Sequence, residues 1–290
     1  MRNINTVAFP GLGIGEFDMN RVAFNLVGRN VTWYGIITTA AIAIAVVYFL
    51  RIAKKDGYRT DDILDMFLFA VPCGILGGRL YFIAFTPGFR ADGIIDALAF
   101  WNGGIAIYGV IIGAALSGLI SAKVKKVRLA RVLDCAIPAV LLGQILGRWA
   151  NFVNVEVYGM TTTLPWRMVV PSSTPYGVHP IFIYESLWNL LGLTILLVLM
   201  KKKVLKKKFD GQFFCIYVAW YGIGRGFIEM LRGTGFVLSI GPFRVSSLIG
   251  FGSAIIAIGI MIFFLRKGES PALKEQPYYP TSKHYKTEEL

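Results

Sequence analysis

"IFIYESLWNLLGLTILLVLMKKKVLKKK", residues 181–208, decides the fold class of this chain. Its first twenty positions carry one charge, Glu185, and six lysines crowd the next eight. At 1.5 Å of rise per residue, a helix over 181–200 is about 30 Å long, which matches the hydrocarbon thickness of a bilayer. The lysine run behind it is the signature of a cytoplasmic loop. Similar stretches lie on either side, over 33–51, 63–85, 103–122, 132–151, 212–230 and 246–265. The 290 residues are 55% hydrophobic and 16% charged, more apolar than one soluble core of this size needs. The expected fold class is therefore all-α, a polytopic membrane helix bundle of about seven transmembrane helices.

Charge placement sets the expected topology. Most of the 30 basic residues follow the first, third, fifth and seventh stretches, among them Arg51, Lys54, Lys55, Lys123, Lys125, Lys126, Lys201 to Lys203, Lys206 to Lys208, Arg266 and Lys267. Arg2, Arg21, Arg29, Arg90, Arg167, Arg232 and Arg244 fall on the other side. The positive-inside rule then puts the N-terminus outside and the C-terminus in the cytoplasm. A net charge of +13 distributed in this way argues against a nucleic-acid partner, and leaves lipid headgroups as the extra partner of the basic loops.

Residues 1–32, with "FPGLGIGEFDMNRVAFNLVG" at 9–28, lack the pattern of a cleaved signal peptide and are expected to lie at the outer membrane surface. Residues 1–267 then form a single transmembrane domain, and 268–290, including His284, a short polar and disordered cytoplasmic tail. Cys73, Cys135 and Cys215 fall inside apolar stretches without a ligand-like spacing, so they read as small buried hydrophobes, with no metal site.

Three arginines, Arg79, Arg148 and Arg225, sit within or at the ends of these stretches. Each costs about 2.5–3.5 kcal/mol at a helix centre and normally faces a bundle interior or a wet cavity. Structural ion pairing or snorkelling explains one such residue, but three with clustered polar partners point to a site. In "YVAWYGIGRGFIEMLRG", residues 217–233, Tyr221, Arg225, Glu229 and Arg232 recur at steps of 4, 4 and 3, a stripe of about 80° on a helix. Arg225 and Glu229 can pair along the helix, and Gly222, Gly224 and Gly226 keep the adjoining surface slim.

"GQILGRWANFVNVEVYG", residues 143–159, behaves differently. Gly143 and Gly147 form a G-x-x-x-G face suited to close helix contact. Arg148 and Asn151 share a face, whereas Asn154 and Glu156 leave it, so the helix is expected to break near Phe152. Irregular backbone at that depth requires cover by protein or a wet cavity. Other polar residues fall toward the same outer side: His179 before the first-turn proline Pro180, then Tyr184 and Glu185; Arg79 in "GGRLYF"; Tyr108 in "WNGGIAIYG"; and Trp33 and Tyr34 in "VTWYG". An interfacial cap or an aromatic belt is the structural alternative for several of these.

Arginines recognise phosphates because they are always charged and present a fork of donors. In a membrane cavity they would recognise a lipid headgroup whose acyl chains stay among the helices. The sequence carries no H-E-x-x-H, no Ser-His-Asp spacing, no nucleotide-binding glycine loop and no Asp-rich metal motif, so chemistry would rest on charge stabilisation and a nucleophile brought by the substrate. A carrier with an arginine-lined path is the competing class, and a purely structural membrane subunit a third. A carrier would line the inner half of the bundle with polar groups, where this sequence has mainly Ile, Leu, Val and Ala.

"GRWANFVNVEVYG" resembles the G-R-x-x-N-F-x-N-x-E-x-x-G signature of bacterial prolipoprotein diacylglyceryl transferases, and "HPIFIYES", "YGIGRGFIEMLR", "GGRLYF", "WNGGIAIYG" and "WYG" follow the order of that family. The resemblance implies a seven-span plasma-membrane enzyme, needing no cofactor, with its active site toward the outer face. It would move the diacylglyceryl group of phosphatidylglycerol to the lipobox cysteine of a prolipoprotein, forming a thioether and releasing glycerol phosphate. By match to the family, Arg148 would bind the lipid phosphate and Arg225 would hold the departing one. Glu229 and Arg232 would organise Arg225. Asn151, Asn154, Glu156, Gly159, Tyr34, Tyr221 and Arg79 complete the implied site. Many relatives carry a histidine where this chain has Tyr108, which makes Tyr108 or His179 the candidate base. A cysteine with a pKa near about 8.5 is already partly thiolate, more so beside arginines, so no base is strictly required.

Overall fold

The computed structural model describes residues 4–86, 89, 93–171, 174–201, 207–232, 239–240, 243–268 and 270. Arg2, Arg90, Lys202, Lys203, Lys206 and the tail beyond 270 with His284, which entered the topology and tail expectations, lie outside them.

The chain opens with strands β1 (Ile4–Phe9), β2 (Ile14–Asn20), β3 (Val22–Leu26) and β4 (Arg29–Thr32). Helices follow: α1 (Trp33–Lys55), α2 (Thr60–Phe85), the short α3 (Ile94–Leu98), α4 (Ile107–Val124) and α5 (Leu129–Asn154). Strands β5 (Met168–Val170) and β6 (Thr174–Val178) precede α6 (Ile181–Lys201) and α7 (Gln212–Met230). A two-residue hairpin, β7 (Ser239–Ile240) and β8 (Phe243–Arg244), leads into α8 (Val245–Lys267). Among the described residues, 6 helices are long and apolar enough to cross a membrane: α1, α2, α4, α5, α6 and α8. The protein is a polytopic helical membrane protein. By this measure α7, expected as a seventh span, stands apart because Arg225, Glu229 and its glycines dilute its hydropathy.

The all-α expectation needs correction. Residues 4–32 are two β-hairpins, and β1 also pairs with a strand far along the chain, giving an antiparallel sheet of order β2-β1-β5-β6. Val7 faces Phe17, Ala8 faces Val169 and Met168 faces Val178. Alternation explains β2: Phe17 and Met19 point one way while Glu16, Asp18 and Asn20 point the other, and Met19 packs against the core. The turn between β3 and β4 places Val27 and Gly28 at φ 49° and 76°, as a two-residue hairpin requires.

The chain forms two compact units, one made of the segment up to Phe49 with Asp134–Ser270, the other of Leu50–Leu133. In the first unit the sheet builds its core from Val7, Phe9, Met168, Val170 and Val178, together with Val155 just past α5 and Phe182 in the first turn of α6. The sheet therefore covers the ends of the two helices that carry the site. Arg21, between β2 and β3, donates to the Asn154 carbonyl at 2.8 Å and caps α5. Below, Ile137, Leu141, Leu193, Leu196 and Phe213 form an apolar core between α5, α6 and α7. Asp134 fixes the start of α7, accepting from the backbone N–H groups of Gly211 and Phe214 at 2.9 Å each and pairing with Lys207 at 2.8 Å.

The three α7 glycines each admit a neighbour. A Cβ at Gly222 would lie 2.4 Å from the Gly250 carbonyl oxygen, one at Gly226 2.5 Å from the Phe251 ring, and one at Gly224 2.0 Å from the Trp188 indole nitrogen. Among the described residues the G-x-x-x-G face of α5 takes no closely packed helix: Gly143 makes ordinary contact with Ala45, and a Cβ at Gly147 would meet nothing within 4 Å. Its counterpart occurs in the second unit, where Gly77 of α2 and Gly109 of α4 pack with each would-be Cβ 2.5 Å or less from the other's carbonyl oxygen. Cys135 and Cys215 are buried as expected, while Cys73 is half-exposed.

Candidate active site

The site lies where the C-terminal end of α5, the first turns of α6 and the second half of α7 meet. Arg148 and Asn151 are one turn apart on α5, and the Arg148 guanidinium reaches the Asn151 side-chain oxygen at 3.4 Å. The helix ends at Asn154, two residues later than expected, because its last carbonyl receives Arg21. Val155 and Val157 then adopt φ of 51° and 61°. Left-handed backbone at β-branched residues costs about 1–3 kcal/mol each and persists only where surroundings impose it. The result here is that Glu156 turns back on the helix. Asn151 donates to its Oε1 at 2.7 Å and Asn154 to its Oε2 at 3.5 Å, while its own N–H donates to the Asn151 carbonyl at 3.1 Å.

From Arg148 a line of alternating charges crosses the three helices. Arg148 Nε lies 2.6 Å from Glu185 Oε2, and Arg225 Nη1 lies 2.8 Å from Glu185 Oε1. Arg225 Nη2 lies 2.7 Å from Glu229 Oε2, which also takes Arg232 Nη1 at 3.1 Å. Both carboxylates are buried, Glu185 to 6% exposure and Glu229 to 2%. Buried charges persist only when paired in this manner. The three guanidiniums outnumber the two carboxylates, so the row is net cationic. Arg148, Glu185, Trp188, Asn189, Tyr221, Gly224, Arg225 and Ile228 line a narrow cleft of about 10 Å³, room for about one water.

The Arg232 end of the row is anchored by backbone. Arg244 donates to the carbonyls of Glu229 at 2.6 Å and Arg232 at 2.5 Å. Gly159 bridges to Arg232 and donates to the His179 carbonyl at 2.8 Å. A side chain at Gly159 would place its Cβ 2.6 Å from both His179 Cβ and the Leu231 carbonyl oxygen. Only glycine lets the three segments cross there.

His179 belongs to a short relay. Trp166 Nε1 donates to the Tyr184 hydroxyl at 2.7 Å, and that hydroxyl lies 3.1 Å from His179 Nδ1. An indole N–H can only donate, so the Tyr184 hydroxyl accepts from Trp166 and has its proton free to give to His179 Nδ1, an arrangement that pairs with the Nε2–H tautomer of the imidazole. Burial pushes the His179 pKa below its ordinary value, which keeps the ring neutral.

Tyr34 stands in the first turn of α1, 36% exposed. Arg79 and Tyr108 belong to the second unit. Arg79 is 3% exposed and spends its guanidinium on the carbonyls of Gly103 at 2.8 Å, Gly104 at 3.2 Å and Asp96 at 2.8 Å, lying over the rings of Phe82 and Phe89. Tyr108, in the first turn of α4, is half-buried beside the Tyr81 ring.

Glu185 and Arg244 are the residues that sequence reasoning undervalued. Glu185 did carry a signal, as the single charge in a twenty-residue apolar run, yet its place at the start of the run suits an interfacial cap equally well. Arg244 carried none, because its hydrogen-bond partners are backbone carbonyls set by the fold.

A buried, net-cationic row of arginines and carboxylates at a small cleft of a polytopic helical membrane protein has the chemistry to take an anion. Comparison with known proteins makes the class specific. Residues 21–264 match the family model described as prolipoprotein diacylglyceryl transferase. A protein of Clostridioides difficile named phosphatidylglycerol–prolipoprotein diacylglyceryl transferase is 35% identical over 257 residues, covering 89% of this chain and 100% of the relative. Proteins of the same name from Finegoldia magna and Lysinibacillus sphaericus are each 37% identical, over 244 and 269 residues, covering 84% and 89% of this chain and 94% and 96% of the relatives. The chain belongs to the prolipoprotein diacylglyceryl transferase family.

Proposed function

We propose that this protein transfers the diacylglyceryl group of phosphatidylglycerol to the lipobox cysteine of a prolipoprotein, in the plasma membrane of a bacterium. The observation that carries this reading is the convergence of Arg148 and Arg225 on the two oxygens of one carboxylate in a cleft between membrane helices. Two forks arranged in that way suit a phosphate, whose oxygens are spaced similarly.

In the proposed reaction Arg148 binds the phosphodiester. The cysteine sulfur attacks the glyceryl carbon, the carbon–oxygen bond to phosphate breaks with its electron pair on the oxygen, and glycerol phosphate leaves. Arg225, steadied by Glu229 and through it by Arg232, stabilises the charge that develops on the leaving phosphate, the largest electrostatic contribution available here. Asn151 and Asn154 act through Glu156, fixing the end of α5 beside Arg148. Tyr221 lines the headgroup cleft, Tyr34 contributes to lipid binding, and Gly159 positions Arg232 through backbone, while Arg79 holds the 96–104 loop of its own unit. The relay on His179 favours a donor of its Nε2 proton over a base. Tyr108 remains the candidate base, alongside the thiolate fraction that a net-cationic site enlarges.

Seven spans, α7 included, an outer N-terminus, a cytoplasmic C-terminus and an active site toward the outer face complete the proposal. The alternation of basic residues supports that orientation. The apolar core of Ile137, Leu141, Leu193, Leu196 and Phe213 beneath the cleft favours a transferase over a carrier, which would need a polar path there. The test is to incubate purified protein with phosphatidylglycerol and a lipobox peptide and to follow peptide mass. Gain of one diacylglyceryl group, absent for the cysteine-to-serine peptide, is the expected result. An unchanged mass with folded protein and several anionic phospholipids counts against transfer.

A further inference from the structure

Arg148 and Arg225 each divide their guanidinium between two partners of different kinds. One is on or beside the arginine's own helix: Asn151, three residues on, for Arg148, and Glu229, four residues on, for Arg225. The other is Glu185, which reaches in from α6 and puts one oxygen on each arginine. The first partners hold each side chain against its own backbone. Glu185 alone of these bridges the two cations, and it occupies the position where the Proposed function needs a phosphate.

Three physical consequences follow. First, two guanidiniums within 3 Å of one carboxylate are close enough to repel each other strongly in a buried site, so the carboxylate keeps both aimed inward when no lipid is bound. Second, Glu185 accepts a hydrogen bond from Arg225 through Oε1, while its Oε2 faces Arg148 as a charge pair without a hydrogen bond, so a phosphodiester of the same single charge that accepts from both guanidiniums can displace it. Third, the leaving group is a phosphate monoester carrying about −1.5 to −2 at neutral pH. It would bind the two arginines more tightly than the substrate did, and a resident carboxylate ready to retake them opposes that retention.

We propose that Glu185 is a resident counter-anion: it holds the phosphate position between Arg148 and Arg225, yields it to the substrate phosphate, and competes the product phosphate out. It is a positioning residue, acting through the two arginines, and this inference rests on the Proposed function.

The test uses the full chain in phosphatidylcholine nanodiscs, titrated with inorganic phosphate and with glycerol phosphate. Trp188 lines the cleft, so tryptophan emission offers a binding signal alongside calorimetry. Glu185→Gln removes the competing charge while keeping the shape, and should bind glycerol phosphate about tenfold more tightly, the size of one charge-assisted hydrogen bond. With phosphatidylglycerol and a lipobox peptide, the same variant should show KM and kcat falling together as product release slows, and Glu185→Asp should restore part of both. A scaffold that merely keeps the arginines in place would raise KM and weaken anion binding, and that result, or unchanged affinity in Glu185→Gln, overturns the proposal. Should the variants fold poorly, infrared difference spectra of the wild-type protein decide the matter. Phosphate binding should shift a carboxylate stretch that sharpens or moves with isotopic labelling of glutamate, and the lack of any such shift on saturable binding overturns the exchange. The binding measurements need no acceptor peptide, so a protein that shows the exchange but forms no thioether keeps this inference and loses the transfer reading.

Discussion

Trp188 and Trp220 lie face to face, their ring centroids 4.3 Å apart, and each indole N–H donates to the other's backbone carbonyl at 3.1 Å. This reciprocal clasp fixes α6 against α7 one turn below Glu185 and Arg225, and so sets the distance of that ion pair. Gly224 and Gly192 make room for it: a Cβ at either would lie 2.0 Å or 2.4 Å from an indole nitrogen. Gly224→Ala should destabilise the fold by about 1–3 kcal/mol through overpacking. It should also lower transfer at least tenfold, because the displaced helices separate Glu185 from Arg225. Thermal unfolding and initial rates in nanodiscs check both effects, and wild-type values for both would show that the clasp does not position the site.

Gly159 should tolerate no side chain. Gly159→Ala forces a Cβ into the crossing with His179 and Leu231, 2.6 Å from backbone and Cβ atoms that cannot swing away. Arg232, bridged to Gly159, moves with it and releases Glu229. The expected outcome is a loss of kcat of at least a hundredfold with lipid affinity changed much less. A rate within threefold of wild type would remove Gly159 from the positioning shell.

Arg79 is expected to act on stability rather than on the chemical step. Its guanidinium bonds three carbonyls around the 96–104 loop, and Arg79→Ala removes these bonds, at about 1 kcal/mol each, along with the packing of a buried side chain. Lysine, with one nitrogen, cannot reach all three and should rescue poorly. Unfolding midpoints of both variants, with kcat measured on the folded fraction, give the check. A stable Arg79→Ala protein with a raised KM for lipid would instead place this arginine on the substrate.

The state of His179 is open to direct observation by nitrogen-15 NMR of its ring. The Tyr184 relay predicts a neutral ring protonated on Nε2, and Tyr184→Phe should let the tautomers mix. Burial lowers the folded pKa below the unfolded value of about 6.5. As pH falls through that value the unfolded chain takes up the proton first, so the native state loses stability from about pH 6.5 down to the lower folded pKa, and gains nothing from His179 above it. Removing the histidine as His179→Asn should flatten that part of the stability profile. A ring titrating at or above the ordinary value would contradict the burial argument.

The helices were legible in the sequence because a spanning helix must carry its apolar run locally, as 181–200 does. The sheet was not, because β1 finds β5 some 160 residues later through single facing pairs such as Ala8 and Val169, which leave no periodic trace. Within the site, Arg225 and Glu229 were legible from their i, i+4 spacing, a relation internal to one helix. The bridging of Arg148 to Arg225 through Glu185 depends on the rotation of α5, α6 and α7 about their own axes, which the Trp188–Trp220 clasp and the α7 glycines decide. The G-x-x-x-G at 143 and 147 misled for the same reason: small residues permit close contact, and packing elsewhere determines whether a helix comes to use it.

The central claim is that Arg148 and Arg225 hold the phosphate that leaves. The most direct measurement is release of glycerol phosphate from phosphatidylglycerol, with thioether formation on a lipobox peptide, by Arg148→Ala and Arg225→Ala proteins whose unfolding midpoints are also recorded. A fall in kcat/KM of at least a thousandfold in each, with the fold retained, is the result expected when a buried charge that stabilises the transition state is removed. Folded variants that still release glycerol phosphate at near wild-type rates would contradict it.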